Sequence, residues 1–320
     1  MSTEAIAQSI DRARRGVGVG GSGRGPRRGR SPGGRSRIAT LLLFAIPSLI
    51  LLVLLNLYPV LYAGQQSLRN GDLLSAGDFV GVQNYLTVVG QPQFQRAAVF
   101  TVVFTVVAVF GSWAVGLALA LLLRTRIPAG GFFKVLLLLP WVVPVVVSAT
   151  SWNWLVATPQ SPLPILAQAL GFGNVLFLAD PLLAQILVCV FKVWISFPFM
   201  MMMMASALAA VDVNVYEASK VDGASSWQTF RQITLPMISR STFISWILMT
   251  IFSVNDFPTI FLLTGGGPVN ATQTLVVLAY QTVFQNYQTG PGVAIAFLMT
   301  IVLVFISVLL YRQIRKVNIE

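Results

Sequence analysis

Six stretches of this chain, residues 38–62, 97–123, 132–156, 182–207, 237–263 and 292–311, are almost wholly apolar. Each reaches the length of about 20 residues that a helix needs to cross about 30 Å of hydrocarbon. In lipid an unpaired backbone N–H or C=O finds no water, so a span must be a helix or part of a closed barrel. The runs show none of the period-two alternation of barrel strands. The chain therefore reads as an all-α integral membrane protein of six transmembrane helices. Composition agrees, since 56% of residues are apolar and 10% charged, against about a quarter charged in a soluble domain.

Basic residues in the connections set the orientation, because Lys and Arg are retained on the cytoplasmic side. Of 21 basic residues, nine arginines from Arg12 to Arg37 precede the first apolar run. Arg124, Arg126, Lys134, Lys220, Arg231, Arg240, Arg312, Arg315 and Lys316 fall on the same side, and only Arg69 and Arg96 on the other. Both termini are expected in the cytoplasm, with connections 63–96, 157–181 and 264–291 outside. Residues 1–37 mix arginine with Gly, Ser and Pro. Too little apolar area is present there to fold, so the segment reads as a disordered tail that orients the chain and touches lipid headgroups. The net charge of +11 thus points to a membrane surface and not to nucleic acid. A cleaved signal peptide fits poorly, because a long tail precedes an apolar run of full spanning length. Residues 38–320 form the membrane domain.

The chain has no His and one Cys, Cys189, inside an apolar run. Neither a disulfide framework, a thiolate metal site nor a histidine-based triad can be assembled from it. No catalytic residue, metal or cofactor is expected. Gly265, Gly266, Gly267 and Pro268 lack the following Lys-Ser/Thr of a phosphate loop and read as a tight outward turn. The run Met200 to Met204 reads as packing inside the fourth span.

Several spans carry helix breakers: Pro140 and Pro144 in the third, Pro198 in the fourth and Pro258 in the fifth. Each frees a backbone carbonyl that neighbouring helices or a wet cavity must satisfy. The fourth and fifth runs also contain Lys192 and Asp256. An ionisable group near mid-membrane is costly unless paired or wet, so the two either neutralise one another or bind polar groups of a solute.

Residues 217–236, EASKVDGASSWQTFRQITLP, lie within a connection, 211–236, between the fourth and fifth runs. They read as two short helices and a turn. Asn214 with Glu217, and Ser225 with Gln228, have the spacing of helix-capping pairs. Gly223 supplies a turn position open to positive φ, and Pro236 marks the start of the next span. Such a knob presents itself to a cytoplasmic partner.

With Glu217, Ala218, Asp222, Gly223, Ala224, Phe230, Ile233, Leu235 and Pro236 in place, the stretch resembles the EAA motif of permease subunits of bacterial binding-protein-dependent ABC importers. Ser219 stands where Ala is more usual, and Asp212 where many relatives have Pro. The resemblance continues through NDFPTIFLLTGGGPVNATQTL, residues 255–275, with Tyr280, Phe284 and Gly290, and through WISFPFMMM, residues 194–202. These segments resemble the carbohydrate-uptake branch, in particular the larger permease of maltose-type and glycerol-3-phosphate-type pairs. The extra N-terminal spans and large external insertion of the maltose permease are missing.

The resemblance implies a loop that docks on an ATPase subunit, with Glu217, Ala218, Asp222, Gly223, Ala224, Leu235 and Pro236 as coupling residues. It also implies a substrate pathway lined by Lys192, Ile195, Ser196, Phe199, Met249, Phe252, Ser253 and Asp256. Lys192 and Asp256 replace uncharged amides of the maltose relative, so a substrate other than plain maltose is expected. The implied partners are a second homologous permease, two copies of an ATPase that bind ATP and Mg²⁺, and an extracytoplasmic solute-binding protein, lipid-anchored or periplasmic. The cargo would be a sugar or sugar derivative, or a polar non-sugar such as a glycerophosphodiester. A secondary transporter would need its own ion-coupling groups and no docking loop. A membrane-embedded enzyme would need paired acids, a nucleophile with its base, or metal ligands facing one cavity.

Overall fold

A computed structural model describes the backbone of residues 34–75, 77–124 and 128–317, and side chains between residues 40 and 313. Residues 1–33 of the expected tail lie outside the described residues. Gly34, in its last part, already belongs to a helix. Helices are the regular secondary structure of the described residues, apart from an isolated bridge between Arg69 and Phe79.

Helix α1, Gly34–Leu52, runs through a π turn at Val53–Leu57 into α2, Tyr58–Ser67. The short α3, Gln83–Gly90, precedes α4, Pro92–Arg124, the second span. The third run forms two helices, α5, Gly130–Val142, and α6, Val145–Val156, bent by 90° at their junction. The third span is thus broken at one of the two prolines that the sequence marks in it. The cause is Pro144, which cannot donate to the helix before it and stands instead as the N-cap of α6 with an extended ψ. Helix α7, Pro162–Ala169, lies in the next connection.

The fourth span, α8, Pro181–Ala209, passes through Pro198 without interruption. The expected break there is absent, and Pro198 is simply buried within the helix. After α9, Val213–Val221, the short α10, Ser226–Thr229, continues through a π turn at Phe230–Thr234 into α11, Leu235–Val254. The fifth span thus stops at Val254, and α12, Phe257–Leu263, is a separate helix beyond a break. Connection 264–291, expected on the outer side, contains α13, Leu275–Tyr280, extended by a π turn at Gln281–Gln285. The last span is α14, Thr289–Val317.

Contacts divide the chain at Tyr58 and Pro59. In the first unit, described from Gly34, the apolar side chains of the helix are largely exposed, as Leu43, Phe44 and Leu54 show. The second unit holds the core. Its most extensive helix pair is α4 with α8, and the close approach has a plain cause. A Cβ at Gly116 would lie 2.6 Å from the backbone nitrogen of Met201 and 2.8 Å from the Cβ of Met200. Lipid tails are as apolar as leucine, so helices in a membrane are held by such small-residue contacts and not by hydrophobic exclusion.

Phe100, Phe104, Leu187, Val188, Phe191, Ile260 and Val277 form one buried cluster across α4, α8, α12 and α13. Met200 and Met204 are fully buried as the sequence suggests, whereas Met202 is exposed. Several hydroxyls inside the spans donate to their own helix, as Thr101 does to Ala97 O at 2.7 Å and Thr250 to Trp246 O at 2.8 Å. This back-bonding lets Ser and Thr sit in hydrocarbon.

The uncharged connection 264–291 is tied to the spans by amide side chains. Gln185 Nε2 donates to Ala271 O at 2.6 Å and Gln93 Nε2 to Gln273 Oε1 at 3.0 Å, while within the connection Gln281 Nε2 donates to Gly265 O at 3.0 Å. Gly265 and Gly266 take positive φ, confirming a tight turn, and Val269 at its tip is 85% exposed.

Candidate functional site

The break between α11 and α12 creates the site. Pro258 stands in the first turn of α12, where its missing N–H costs nothing. The first free N–H groups of that helix need an acceptor, and Asp256 provides it: Oδ1 accepts from Thr259 N at 3.1 Å. Its other oxygen, Oδ2, accepts from Lys192 Nζ at 2.6 Å, a pair whose side chains are only 8% and 9% exposed. Asp256 thus lies between an ammonium and the positive end of a helix dipole. It is the only ion pair among the described residues.

Both oxygens of Asp256 are engaged, whereas Lys192 Nζ has three N–H donors and one recorded acceptor. The pair therefore offers its surroundings donors more than acceptors. Beside it lies a cavity of about 340 Å³, within the range of about 300–1,000 Å³ common for small-molecule sites. Ile195, Ser196, Phe252, Asn255, Pro258 and Thr259 line it with Lys192 and Asp256. Trp141, Val143 and Val145 close it from the bend between α5 and α6. Phe199 supports the wall, stacking on Trp141 at a centroid distance of 5.3 Å and meeting Phe252 edge-on at 5.9 Å.

Of the eight expected pathway residues, five thus line one cavity: Lys192, Ile195, Ser196, Phe252 and Asp256. Phe199 stands behind the aromatic wall. Met249 and Ser253 are placed elsewhere. Met249 is fully buried in a cluster with Val109 and Met200, and Ser253 is 1% exposed with its hydroxyl lacking a partner. Ser253 directly follows Phe252 and so projects about 100° away around α11, while Met249, three places before Phe252, meets Val109 and Met200 instead. Sequence reasoning missed Trp141, Val143 and Val145, although Pro140 and Pro144 marked the bend that brings them in. A larger cavity of about 460 Å³ between α4, α11 and α14 is lined by apolar side chains and threonines, and offers no charged group to a polar solute.

Connection 211–236 is the second candidate region. Asp212, not Asn214, caps α9, its Oδ1 accepting from Asn214 N at 2.9 Å. Asn214 lies within the helix, because the chain becomes helical two residues earlier than the capping pattern suggests. The residue that departs from the family's usual Pro thus has a defined local task.

Gly223 takes φ of +75°, and Gly223 N and Ala224 N donate to Lys220 O at 3.1 Å and Ser219 O at 3.0 Å. This is the paired C-terminal closure in which glycine supplies the left-handed residue. Ser225 then starts α10 with a reciprocal cap, Gln228 N on its hydroxyl at 3.3 Å and its own N on Gln228 Oε1 at 2.8 Å. The second helix is not separate from the fifth span, as Ser226–Val254 is one helical run. Leu235 N donates to Phe230 O across the π turn, one residue before Pro236, so the ladder widens where proline withholds its N–H.

Glu217, Ala218, Asp222, Gly223 and Pro236 are exposed and Ala224 is half-buried. Leu235 packs inward with Tyr216 and Phe230 against a cluster containing Leu208 and Ile238. Ser219 also turns inward, 4% exposed. The exposed face gains two apolar residues that the motif did not single out, Val221 at 88% and Trp227 at 66% exposure. Apolar side chains in a polar connection are the signal that marks them.

Comparison with known proteins places the chain in a family. The family model for the binding-protein-dependent transport system inner membrane component matches residues 112–318. The trehalose/maltose transport system permease protein MalF of Thermococcus litoralis is 32% identical over 276 residues, 86% of this chain and 92% of that protein. The trehalose transport system permease protein SugA of Mycobacterium tuberculosis is 31% identical over 259 residues, 79% of this chain and 81% of that one. The sulfoquinovosyl glycerol transport system permease protein SmoG of Agrobacterium fabrum is 30% identical, covering 87% and 91%. A crystal structure of a bacterial ABC transporter that imports the acidic polysaccharide alginate contains a chain of the same fold, with a TM-score of 0.75 at 19% identity, covering 88% of this chain and 96% of that one. This chain is a multi-pass membrane protein and belongs to the family of inner membrane components of binding-protein-dependent transport systems.

Proposed function

We propose that this protein is the permease subunit of an ABC importer for a sugar or sugar derivative, handed over by an extracytoplasmic binding protein and driven by ATP hydrolysis on partner subunits. The observation that carries the reading is the cavity at the break of the fifth span. An ammonium with spare N–H donors stands there opposite Trp141 and Phe252. A pyranose presents hydroxyl oxygens at its edge and C–H groups on its faces, so donors beside aromatic walls complement it. The named cargoes of MalF, SugA and SmoG are sugars or sugar derivatives, which supports the same class.

In this mechanism two related permeases enclose the path, and two ATPases bind ATP and Mg²⁺ beneath them. Connection 211–236 lies in the cytoplasm with both termini. Closure of the ATPase pair moves the exposed face around Glu217, Gly223 and Trp227. Because Ser226–Val254 is one helical run, displacement there is delivered along the helix to its end at Val254, two residues from Asp256. The chain itself performs no bond-making chemistry.

The test is uptake in vesicles carrying the complete complex, across a panel of labelled mono- and disaccharides, sugar sulfonates and glycerophosphodiesters, with the cognate receptor. Saturable, ATP-dependent uptake of at least one sugar is expected. Uptake that persists without the ATPase subunit, or a panel in which only glycerophosphodiesters are carried, would overturn the reading.

A further inference from the structure

At the end of the bundle that carries connection 211–236, a second cavity of about 380 Å³ lies between α4, α5 and α8. Leu123, Leu138, Met202 and Leu208 contribute to its apolar wall, and two cations, Arg124 and Lys134, line it as well. Arg124 is the last residue of α4, and Lys134 stands near the start of α5. Three helix ends therefore converge where hydrocarbon gives way to headgroups, with apolar surface on one side and positive charge on the other.

Nothing in the described chain neutralises that charge. Neither side chain is in an ion pair, and the nearest acid in sequence to this end of α8, Asp212, is occupied by capping α9. Arg124 lies over the ring of Tyr216, its Cζ 4.3 Å from the centroid. Stacking uses the flat face of a guanidinium and leaves its in-plane N–H donors for an oxyanion. The Tyr216 hydroxyl, on α9, is itself buried without a partner. Two unneutralised cations above an apolar slot between spans match an anionic phospholipid, phosphate at the rim and acyl chain along the wall.

We propose that this cavity binds an anionic phospholipid, with Arg124 and Lys134 holding its phosphate. Arg124 touches the residue preceding Glu217, so an occupied site also braces α9, the first helix of the coupling connection. The binding itself does not depend on the transport reading. Only the leaflet supplying the lipid rests on the proposed orientation.

The experiment is native mass spectrometry of the full chain in neutral detergent, titrated with phosphatidylglycerol or phosphatidylcholine, with inorganic phosphate as competitor. Phosphatidylglycerol should be retained over phosphatidylcholine. Arg124→Gln and Lys134→Gln should each weaken its binding about fivefold, and together about 25-fold, the scale of attraction per basic residue at an anionic surface. Binding of phosphatidylcholine should not change. The charge-keeping Arg124→Lys and Lys134→Arg should retain binding, which separates lost charge from lost fold, and Lys134→Gln alone, at an exposed position, covers the case of a misfolded double variant. Equal phosphatidylglycerol binding by wild type and the double variant would overturn the proposal. So would full displacement by inorganic phosphate, which would indicate a free-anion site. No ATP, receptor or sugar enters the assay, so its failure leaves the transport reading standing, and the reverse holds.

Discussion

The site at Lys192 and Asp256 and the connection around Gly223 are built by opposite means. At the first, residues 64 apart meet inside the bundle, every oxygen of the carboxylate is engaged, and both side chains are about nine-tenths buried. At the second, backbone hydrogen bonds span at most five residues, the longest side-chain one joins Ser219 to Thr229 ten residues on, and a Cβ added to Gly223 would meet nothing within 4 Å. Damage should therefore spread from the first and stay local at the second. A partner must reach the exposed loop, whereas the buried pair is reached only by what enters the path.

The largest effect belongs to the pair. Lys192→Met leaves a carboxylate buried and unpaired, with an expected loss of about 3–5 kcal/mol of stability. Adding Asp256→Asn removes the orphaned charge and should recover much of that loss, because the amide oxygen still caps α12. Thermal unfolding of the purified chain measures both. The double variant should remain impaired in uptake, since the donors facing the cavity are gone. Recovery of wild-type uptake kinetics in the stable double variant would make the pair purely structural and break the contrast.

Gly223→Val should be next, costing about 1–2 kcal/mol through the left-handed backbone alone. The protein should insert and bind substrate, while stimulation of the ATPase by loaded receptor is lost. Normal stimulation in an assembled complex would show that the turn does not couple. Smallest is Ser225→Ala, which removes one half of the reciprocal cap at a cost of about 1 kcal/mol. Hydrogen exchange should speed up over α10 and stay unchanged at α12, and faster exchange at α12 would mean that the two regions are not separate.

The sequence alone determined what is local or set by the solvent. Six apolar runs place the chain in a membrane, the EAA spacing marks the loop, and Ser225 with Gln228 and Gly223 form the cap and turn that their types require. Each depends on contacts within a few residues or on hydrocarbon itself, so the information is contiguous. Tertiary structure decided the rest. Pro144 bends the third span through 90° while Pro198 leaves the fourth unbroken. Both remove the same N–H, and only packing around each determines whether the helix survives the loss. The same reason puts Trp141 on the cavity, keeps Met249 off it, and joins Lys192 to Asp256. Which faces of distant helices meet depends on how whole helices pack, and no window of sequence contains that.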